Sequence, residues 1–243
     1  MKAIILAAGM ASRLRPLTEH TPKCLLKIGE RSLLQRSMDA LIANGIQEFC
    51  IVTGYLHQLI EQFVRQQYPD LSVTFIHNAD YETTNNIYSL WLARPAAENE
   101  DVLLLDSDLL YDGEIVKRVL ADSSRNVLTL IRHELGEEEM KVVVDAEGNI
   151  REVSKTCSPQ QAIGESLGIE KMSADYTQAL YTELQQMMNV EHLENRYYEL
   201  AFERLIPKGH TYRVLDVTEL FSCELDTVED FENAKQLIPA ELY

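Results

Sequence analysis

Arg13 and Lys23 are the first residues whose types and setting suit chemistry on phosphates. Both lie in LAAGMASRLRPLTEHTPKCLL, behind an apolar run and a group of small residues. A guanidinium presents a planar fork to phosphate oxygens, and an ammonium presents a point charge. Gly9 can take a positive φ, and Ala7, Ala8 and Ala11 leave room for a ligand to meet backbone N–H groups. A glycine and two cations taken alone read equally well as a phosphate site or as solvated surface charge.

A second group is Asp106 and Asp108 in LLLDSD. Side chains alternate along a strand, so these carboxylates share one side. They end an apolar run, and open parallel sheets bind ligands at such ends. Carboxylates held together repel unless a cation or a proton lies between them. Mg²⁺ suits them, since it binds through one or two carboxylates plus phosphate oxygens; a polar turn with Asp106 capping the next helix is the other reading. Glu224 and Asp226, in CELDT, also share a strand face, and Asp226 precedes a helix, where an Asp is equally an ordinary cap. Asn85 and Asn86 stand at a helix start, able to read a base edge, hold a phosphate or cap the helix. In the second half, Lys141, Lys155, Gly164-Glu165-Ser166 and Tyr197-Tyr198-Glu199 are ordinary surface types one by one. Tyr197, Tyr198 and Glu199 together offer the aromatic faces and the acid that a cationic headgroup needs.

The elements that would position these groups alternate in kind. Lys2–Ala8 is an apolar run of strand length stopped by Gly9, and Pro16 and Pro22 keep the following loop out of a helix. A second apolar run is Cys24–Ile28. Ser32 opens an amphipathic helix that Asn44-Gly45 ends. Phe49–Thr53, Leu71–Ile76 and Asp101–Asp106 read as strands, with helices over Leu56–Val64 and after Thr84, a candidate cap. This order predicts an α/β fold, a doubly wound, mostly parallel Rossmann-like sheet with right-handed crossovers. After about residue 125 come the strand patterns Val127–Ile131, Lys141–Val144 and Ile150–Ser154, with a turn at Asp145–Asn149. Helices follow over Ser173–Met188 and Tyr198–Ile206, then short strands at Thr211–Val217 and Ser222–Leu225, then a last helix over Val228–Leu237 framed by Thr227 and Asp230. No repeat or Ser/Gly-rich linker divides the chain. One domain over 1–243 is expected, with a nucleotide-binding half (1–124) and a mixed-strand, acceptor-binding half (125–243).

Composition narrows the partners. The net charge of −17 repels a nucleic-acid backbone, so DNA and RNA are not expected. It also means that a nucleotide site needs local cations. No apolar run reaches membrane-spanning length, and the N-terminus reads as a strand rather than a signal peptide. Cys24, Cys50, Cys157 and Cys223 are far apart and form no CxxC, so reduced thiols, a cytoplasmic location and no zinc site are expected.

The full N-terminal string, L-A-A-G-x-x-x-R-L-x-P-L-T-x-x-x-P-K-x-L-L from Leu6 to Leu26, resembles the signature of nucleotidyltransferases that activate sugar phosphates and phosphocholine-like headgroups. Ala11 stands where many members have a second glycine. The resemblance is strong to residue 108 and looser afterwards. It implies the nucleotidyltransferase fold, with Leu6, Ala7, Ala8, Gly9, Met10, Asn85 and Asn86 toward the nucleotide and Arg13 and Lys23 on the triphosphate. Asp108 and Asp226 would be the metal-binding aspartates, with Glu224 behind Asp226. Lys141, Lys155, Glu165, Tyr198 and Glu199 would lie on the acceptor side. The string T-N-N-I-Y-S-L at Thr84–Leu90 resembles the phosphocholine and 2-aminoethylphosphonate cytidylyltransferase branch more than the sugar branch. The only tryptophan, Trp91, lies outside the acceptor half, where phosphocholine members have one, so an amine, polyol or sugar acceptor stays open. No long C-terminal β-helix of the kind some sugar nucleotidyltransferases append is expected after Tyr243.

The expectation is thus a Mg²⁺-dependent transfer of CMP from CTP to a small phosphorylated or phosphonylated headgroup, with room for an oligomer. Its rivals are a sugar-1-phosphate nucleotidyltransferase using UTP or dTTP, and a non-catalytic regulatory protein on the same fold. A third rival, a Rossmann dehydrogenase, lacks its G-x-G-x-x-G after the first strand.

Overall fold

The computed structural model describes residues 1–243. In the first half, β1 (Lys2–Ala7) leads through two single-turn 3₁₀ segments to the short strands β2 (Lys27–Ile28) and β3 (Arg31–Ser32). Then come α1 (Leu33–Ala43), β4 (Glu48–Thr53), α2 (His57–Gln67), β5 (Ser72–His77), α3 (Asn86–Leu92), α4 (Arg94–Ala97), β6 (Val102–Asp106), β7 (Leu109–Tyr111) and α5 (Glu114–Ala121). The second half holds β8 (Val127–Ile131), β9 (Lys141–Val144), β10 (Ile150–Ser154), β11 (Gly164–Met172), α6 (Ala174–Asn189), α7 (Glu199–Leu205), β12 (Arg213–Asp216), β13 (Ser222–Glu224) and α8 (Val228–Leu237).

Strands from both halves form one sheet in the order β10-β9-β11-β6-β1-β4-β5, with β8 paired to β11 and β12 to β8. Pairing is parallel from β6 through β1 and β4 to β5, and antiparallel around β11. The alternation along β1 shows why this sequence makes a two-faced sheet. Ile4 and Leu6 enter one core with α3, α6 and α7, while Ala3, Ile5 and Ala7 enter the other with α1, α2 and α5. A third, smaller core joins Leu14, Ile28 and Leu33 to Leu225, Phe231 and Ile238. Burying Leu14 is worth about 1.5–3 kcal/mol, and it pins the loop that carries Arg13.

Three strands and two helices escape the sequence reading: β3, β7, β11, α4 and α5. The largest of these is β11. It carries Glu170 and Lys171 at buried positions and has no clean alternation, because it lies between strands on both edges. The run Cys24–Ile28 is not one strand but a 3₁₀ turn over Lys23–Leu25 followed by β2. Thr84 is not the cap of α3; Asn85 is, its side chain accepting the N–H of Asn86 at 2.7 Å. Thr84 instead donates its hydroxyl to the carbonyl of Asp80 at 2.9 Å.

Candidate active site

The C-terminal ends of β1, β5 and β6 and the start of β11 open into a cleft of about 420 Å³. This is where an open sheet leaves its backbone groups for ligands. The loop after β1 forms its floor. Gly9 does not take a positive φ there, contrary to expectation; Ala11 does (φ 46°), at a cost of about 1–2 kcal/mol for a residue with a Cβ. Nothing lies within 4 Å of where a Cβ on Gly9 would stand, so its place faces open space. The glycine that sterics demand is Gly54 after β4, whose Cβ would fall 2.5 Å from the carbonyl oxygen of Ala8. Tyr55 N–H donates to that same carbonyl at 3.0 Å and holds the loop in place.

Arg13, Lys23, Asp108 and Asp226, far apart in sequence, meet at one wall. Lys23 Nζ donates to Asp108 Oδ2 at 2.9 Å and to Asp226 Oδ1 at 2.7 Å, and Arg13 donates to Asp226 Oδ2 at 2.6 Å. Burial by itself would lower the Lys23 pKa, but Asp108 and Asp226 outweigh it and raise the pKa above its ordinary value. Asp226 shows the counterpart: burial would raise it, and Lys23 and then Arg13 pull it below the usual carboxylate range. Asp226 is placed by the start of α8, where a full capping box forms between Thr227 and Asp230. The Asp230 carboxylate also accepts the N–H of Asp226 at 3.2 Å.

Asp106 lines the cleft beside Asp108 and is half-buried. Burial, then Asp108, Glu199, Glu170 and Glu224, push its pKa well up, and Tyr198 Oη donates to it at 3.0 Å. Gly168 of β11, at φ +78°, lets this carboxylate fit, since a Cβ there would stand 2.7 Å from Asp106 Oδ2. Glu224 is pushed up to about 8, by burial first and then by Asp108, Glu165 and Asp226.

Leu6, Ala7, Ala8, Gly9, Asn85 and Asn86 line the cleft; Met10 does not. Asn86 also accepts the N–H of Tyr198 at 3.0 Å, tying α3 to the acceptor-side segment. On that side Lys155, Glu165 and Glu199 line the cleft. Lys155 Nζ stands 4.8 Å from the centre of the Tyr197 ring and 3.8 Å from Glu138, and Glu165 meets His133 Nε2 at 2.7 Å.

Two expected acceptor contacts are placed elsewhere. Lys141 is buried, and its ammonium donates to the carbonyls of Gly136, Glu137 and Glu139, holding the loop before β9. Tyr198 is fully buried, with its hydroxyl turned to Asp106, while its neighbour Tyr197 faces the cleft. Both were read as acceptor-side from an order of residue types, which does not say which way a side chain turns. Sequence reasoning missed Asn78, Tyr81 and Glu138 as lining residues. Asn78 directly follows β5, so its position at a parallel strand's C-terminal end was the available signal. Its buried amide donates to Thr84 Oγ1 at 3.1 Å and to Ser89 Oγ at 3.2 Å.

A family model described as nucleotidyl transferase matches residues 2–152. The chain belongs to that family. It is 25% identical over 240 residues to CMP-5'-(3-aminopropyl)phosphonate synthase of Streptomyces rubellomurinus, covering 96% of this chain but only 38% of that relative's length. It is 26% identical over 252 residues to CTP:phosphoglutamine cytidylyltransferase of Campylobacter jejuni, covering 96% of this chain and 98% of the relative. Its fold matches CTP:phosphocholine cytidylyltransferase of Streptococcus pneumoniae with a TM-score of 0.80 at 22% identity, over 98% of this chain and 99% of the other. The nucleotidyltransferase fold expected from the sequence is therefore the fold observed, and the cytidylyltransferase resemblance extends to relatives along the whole chain.

Residues that fit a metal are present. Asp108 Oδ2 and Asp226 Oδ1 converge within 2.9 Å of a single cationic nitrogen, that of Lys23. These are hard oxygen donors from two carboxylates, and no group of three or more His, Cys, Asp or Glu side chains forms a cage around them. Such a set matches Mg²⁺ held jointly by protein and phosphate. The cleft is also strongly acidic. Asp106, Asp108, Glu138, Glu165, Glu199, Glu224 and Asp226 face only Arg13, Lys23 and Lys155. No helix is long and apolar enough to cross a membrane.

Proposed function

We propose that this chain transfers CMP from CTP to a small phosphorylated or phosphonylated amine, with Mg²⁺, releasing pyrophosphate. The observation that carries the reading is the junction of Arg13 and Lys23 with Asp108 and Asp226 at the end of the parallel strands. It sets two phosphate-binding cations beside two metal-type carboxylates in one cleft. The cytidylyltransferase relatives support CTP as donor, and the excess of lining carboxylates supports a cationic acceptor.

An ionised oxygen of the acceptor forms a bond to the α-phosphorus, and the bond from that phosphorus to the bridging oxygen breaks. Pyrophosphate leaves with the electron pair. A phosphate monoester is already largely ionised at neutral pH, so the chain needs no nucleophile of its own. Its residues position and neutralise. Arg13 and Lys23 bind the triphosphate and meet the charge that grows on the leaving group. Lys155 faces the acceptor's anionic end, and the loop at Ala7–Gly9 takes the nucleotide. Asp108 and Asp226 would hold Mg²⁺, which when bound supplies charge neutralisation at the phosphates.

Pyrophosphate release is the direct test, with each of the four nucleotides against phosphocholine, phosphoethanolamine, 2-aminoethylphosphonate and glucose 1-phosphate. CTP with an amine acceptor is the expected pair. Faster turnover of glucose 1-phosphate with UTP or dTTP would replace the acceptor class and keep the reaction. No release with any pair would favour a non-catalytic role.

A further inference from the structure

The cleft's carboxylates differ in what they touch. Asp108 and Asp226 meet Lys23, Asp106 accepts from Tyr198, and Glu165 meets His133. Glu199 is unlike them. It is only 6% exposed, it lines the cleft, and its Oε2 is buried without any hydrogen-bond partner. The lining cation that acts on it, Lys155, does so from a distance: it makes no ion pair with Glu199 and stands 3.8 Å from Glu138 and 4.8 Å from the centre of the Tyr197 ring. A buried acceptor atom left without a donor carries a cost, and because Glu199 lines the cleft, a turn of its carboxylate toward a ligand donor would relieve it.

The aromatic faces at this end are few. Tyr197 is the acceptor-side ring in the cleft, and Lys155 already stands over it at 4.8 Å. Tyr198 is fully buried, and the Trp91 ring stacks on Tyr88 at 5.4 Å, outside the cleft. A quaternary ammonium has no N–H to give and is held by a cage of several aromatic faces. A primary ammonium needs no cage and does need an acceptor oxygen.

We propose that Glu199 sets acceptor specificity, by accepting an N–H from the acceptor's ammonium, so that the cleft prefers phosphorylated or phosphonylated primary amines to quaternary ones. This rests on the cytidylyl-transfer reading above, and the bond made and the bond broken are unchanged.

The test is pyrophosphate release at saturating CTP and Mg²⁺ along one methylation series: phosphoethanolamine, its N-methyl and N,N-dimethyl derivatives, and phosphocholine. Wild-type kcat/KM should fall by about 10- to 100-fold across the series, the scale of one charge-assisted hydrogen bond. The steepest step should come at loss of the last N–H. 2-Aminoethylphosphonate and its N,N,N-trimethyl derivative should show the same order. Glu199→Gln should raise KM for phosphoethanolamine, leave KM for CTP nearly unchanged, and bring the two ends of the series to within about threefold. Glu199→Asp, which keeps the charge, should keep the preference at a higher KM. Wild-type turnover of phosphocholine as fast as phosphoethanolamine, or a Gln variant that retains the wild-type preference, would overturn the inference while CTP-dependent release kept the functional reading intact. No release from CTP with any member of the series would overturn both.

Discussion

The two ends of the cleft handle their carboxylates in opposite ways. At the Lys23 end, Asp108 and Asp226 are matched by cations within 2.9 Å, and Asp226 is held below the usual carboxylate range despite partial burial. At the Glu199 end, burial outweighs the partners: Glu199 Oε2 has none, and Glu170 accepts only the Ser166 hydroxyl, at 3.3 Å. Glu199 is pushed up to about 7, by burial above all, and Glu170 behind it is pushed well above its ordinary value, by burial and then by Glu199. The first end is electrostatically complete within the protein. The second is incomplete until something cationic enters.

Removing the charge at the complete end should cost the most. Asp108→Asn and Asp226→Asn should each lower kcat by about 10²–10³-fold, the range for deleting a charged group that stabilises the transition state, with the fold retained by circular dichroism. Near wild-type rates at saturating Mg²⁺ would remove that residue from the metal set, and full activity in EDTA would remove the metal.

The two cations of that end should separate next. Arg13→Ala and Lys23→Ala should each lower kcat/KM by about 1.5–3 kcal/mol in free-energy terms, the scale of a hydrogen bond to a charged group. Only Lys23→Ala should also lower stability, because Lys23 alone is buried between two carboxylates whereas Arg13 is largely exposed. A loss of about 1–3 kcal/mol is expected, less than for a fully buried pair because both carboxylates reach solvent. Equal melting temperatures for the two variants would contradict the triad.

The incomplete end makes a pH prediction of definite sign. Glu199 faces Lys155, Glu203, Asp106, Glu170, Tyr198 and Tyr212. Its folded pKa, about 7, lies above the unfolded value near 4.3, so between these values the folded chain binds more protons than the unfolded one. Stability must then fall as pH rises through that window and level off above it, by up to about 4 kcal/mol from this group. Asp226 acts the other way, but only where its depressed pKa is crossed at low pH. Thermal melts of the unliganded protein should show a declining Tm from pH 5 to 8, and Glu199→Gln should lessen the slope while the raised Asp106, Glu170 and Glu224 keep part of it. A Tm that rises over this range would mean that Glu199 already has a partner.

The smallest expected effect lies between the two ends. Tyr198→Phe removes the donor to Asp106 and should cost about 1 kcal/mol of stability. Acceptor KM should change little, because Tyr198 is fully buried and is not itself one of the residues lining the cleft. A large rise in acceptor KM would put Tyr198 among the acceptor contacts after all.

The same asymmetry marks what the sequence could and could not tell. At the Lys23 end, the strand, the loop and the four charged residues were legible. A parallel strand advertises itself by a short apolar run, and Asp106 and Asp108 sit at the end of one; Asp226 follows the short polar strand β13 and was legible only through the family resemblance. At the Glu199 end, residue types were legible but directions were not. Tyr197 and Tyr198 are neighbours, and only the docking of Tyr198 N–H on Asn86 decides which ring faces the cleft. Lys141 looked like a ligand contact and proves to hold a loop, because its carbonyl partners at Gly136, Glu137 and Glu139 carry no side-chain signal. The required glycines are hidden for a related reason. Gly54 and Gly168 are required by atoms distant in sequence, the Ala8 carbonyl and the Asp106 carboxylate. Nothing in their own surroundings announces it.

The placement of β11 bears on how the chain is made. Along the ribosome's direction of travel, β1, β4, β5 and β6 emerge first and can pair as a parallel sheet with α1 and α2 already available. The free side of β6 is Val102-Leu103-Leu104-Leu105, and its antiparallel partner, Ile169–Met172, is synthesised much later. At roughly 5–20 residues per second, the nascent chain carries an uncovered apolar strand edge for several seconds, the kind of edge that invites pairing with another chain. Pausing translation between residues 125 and 160 should therefore favour aggregation, and a pause late enough for β11 to have left the ribosome's exit tunnel should not.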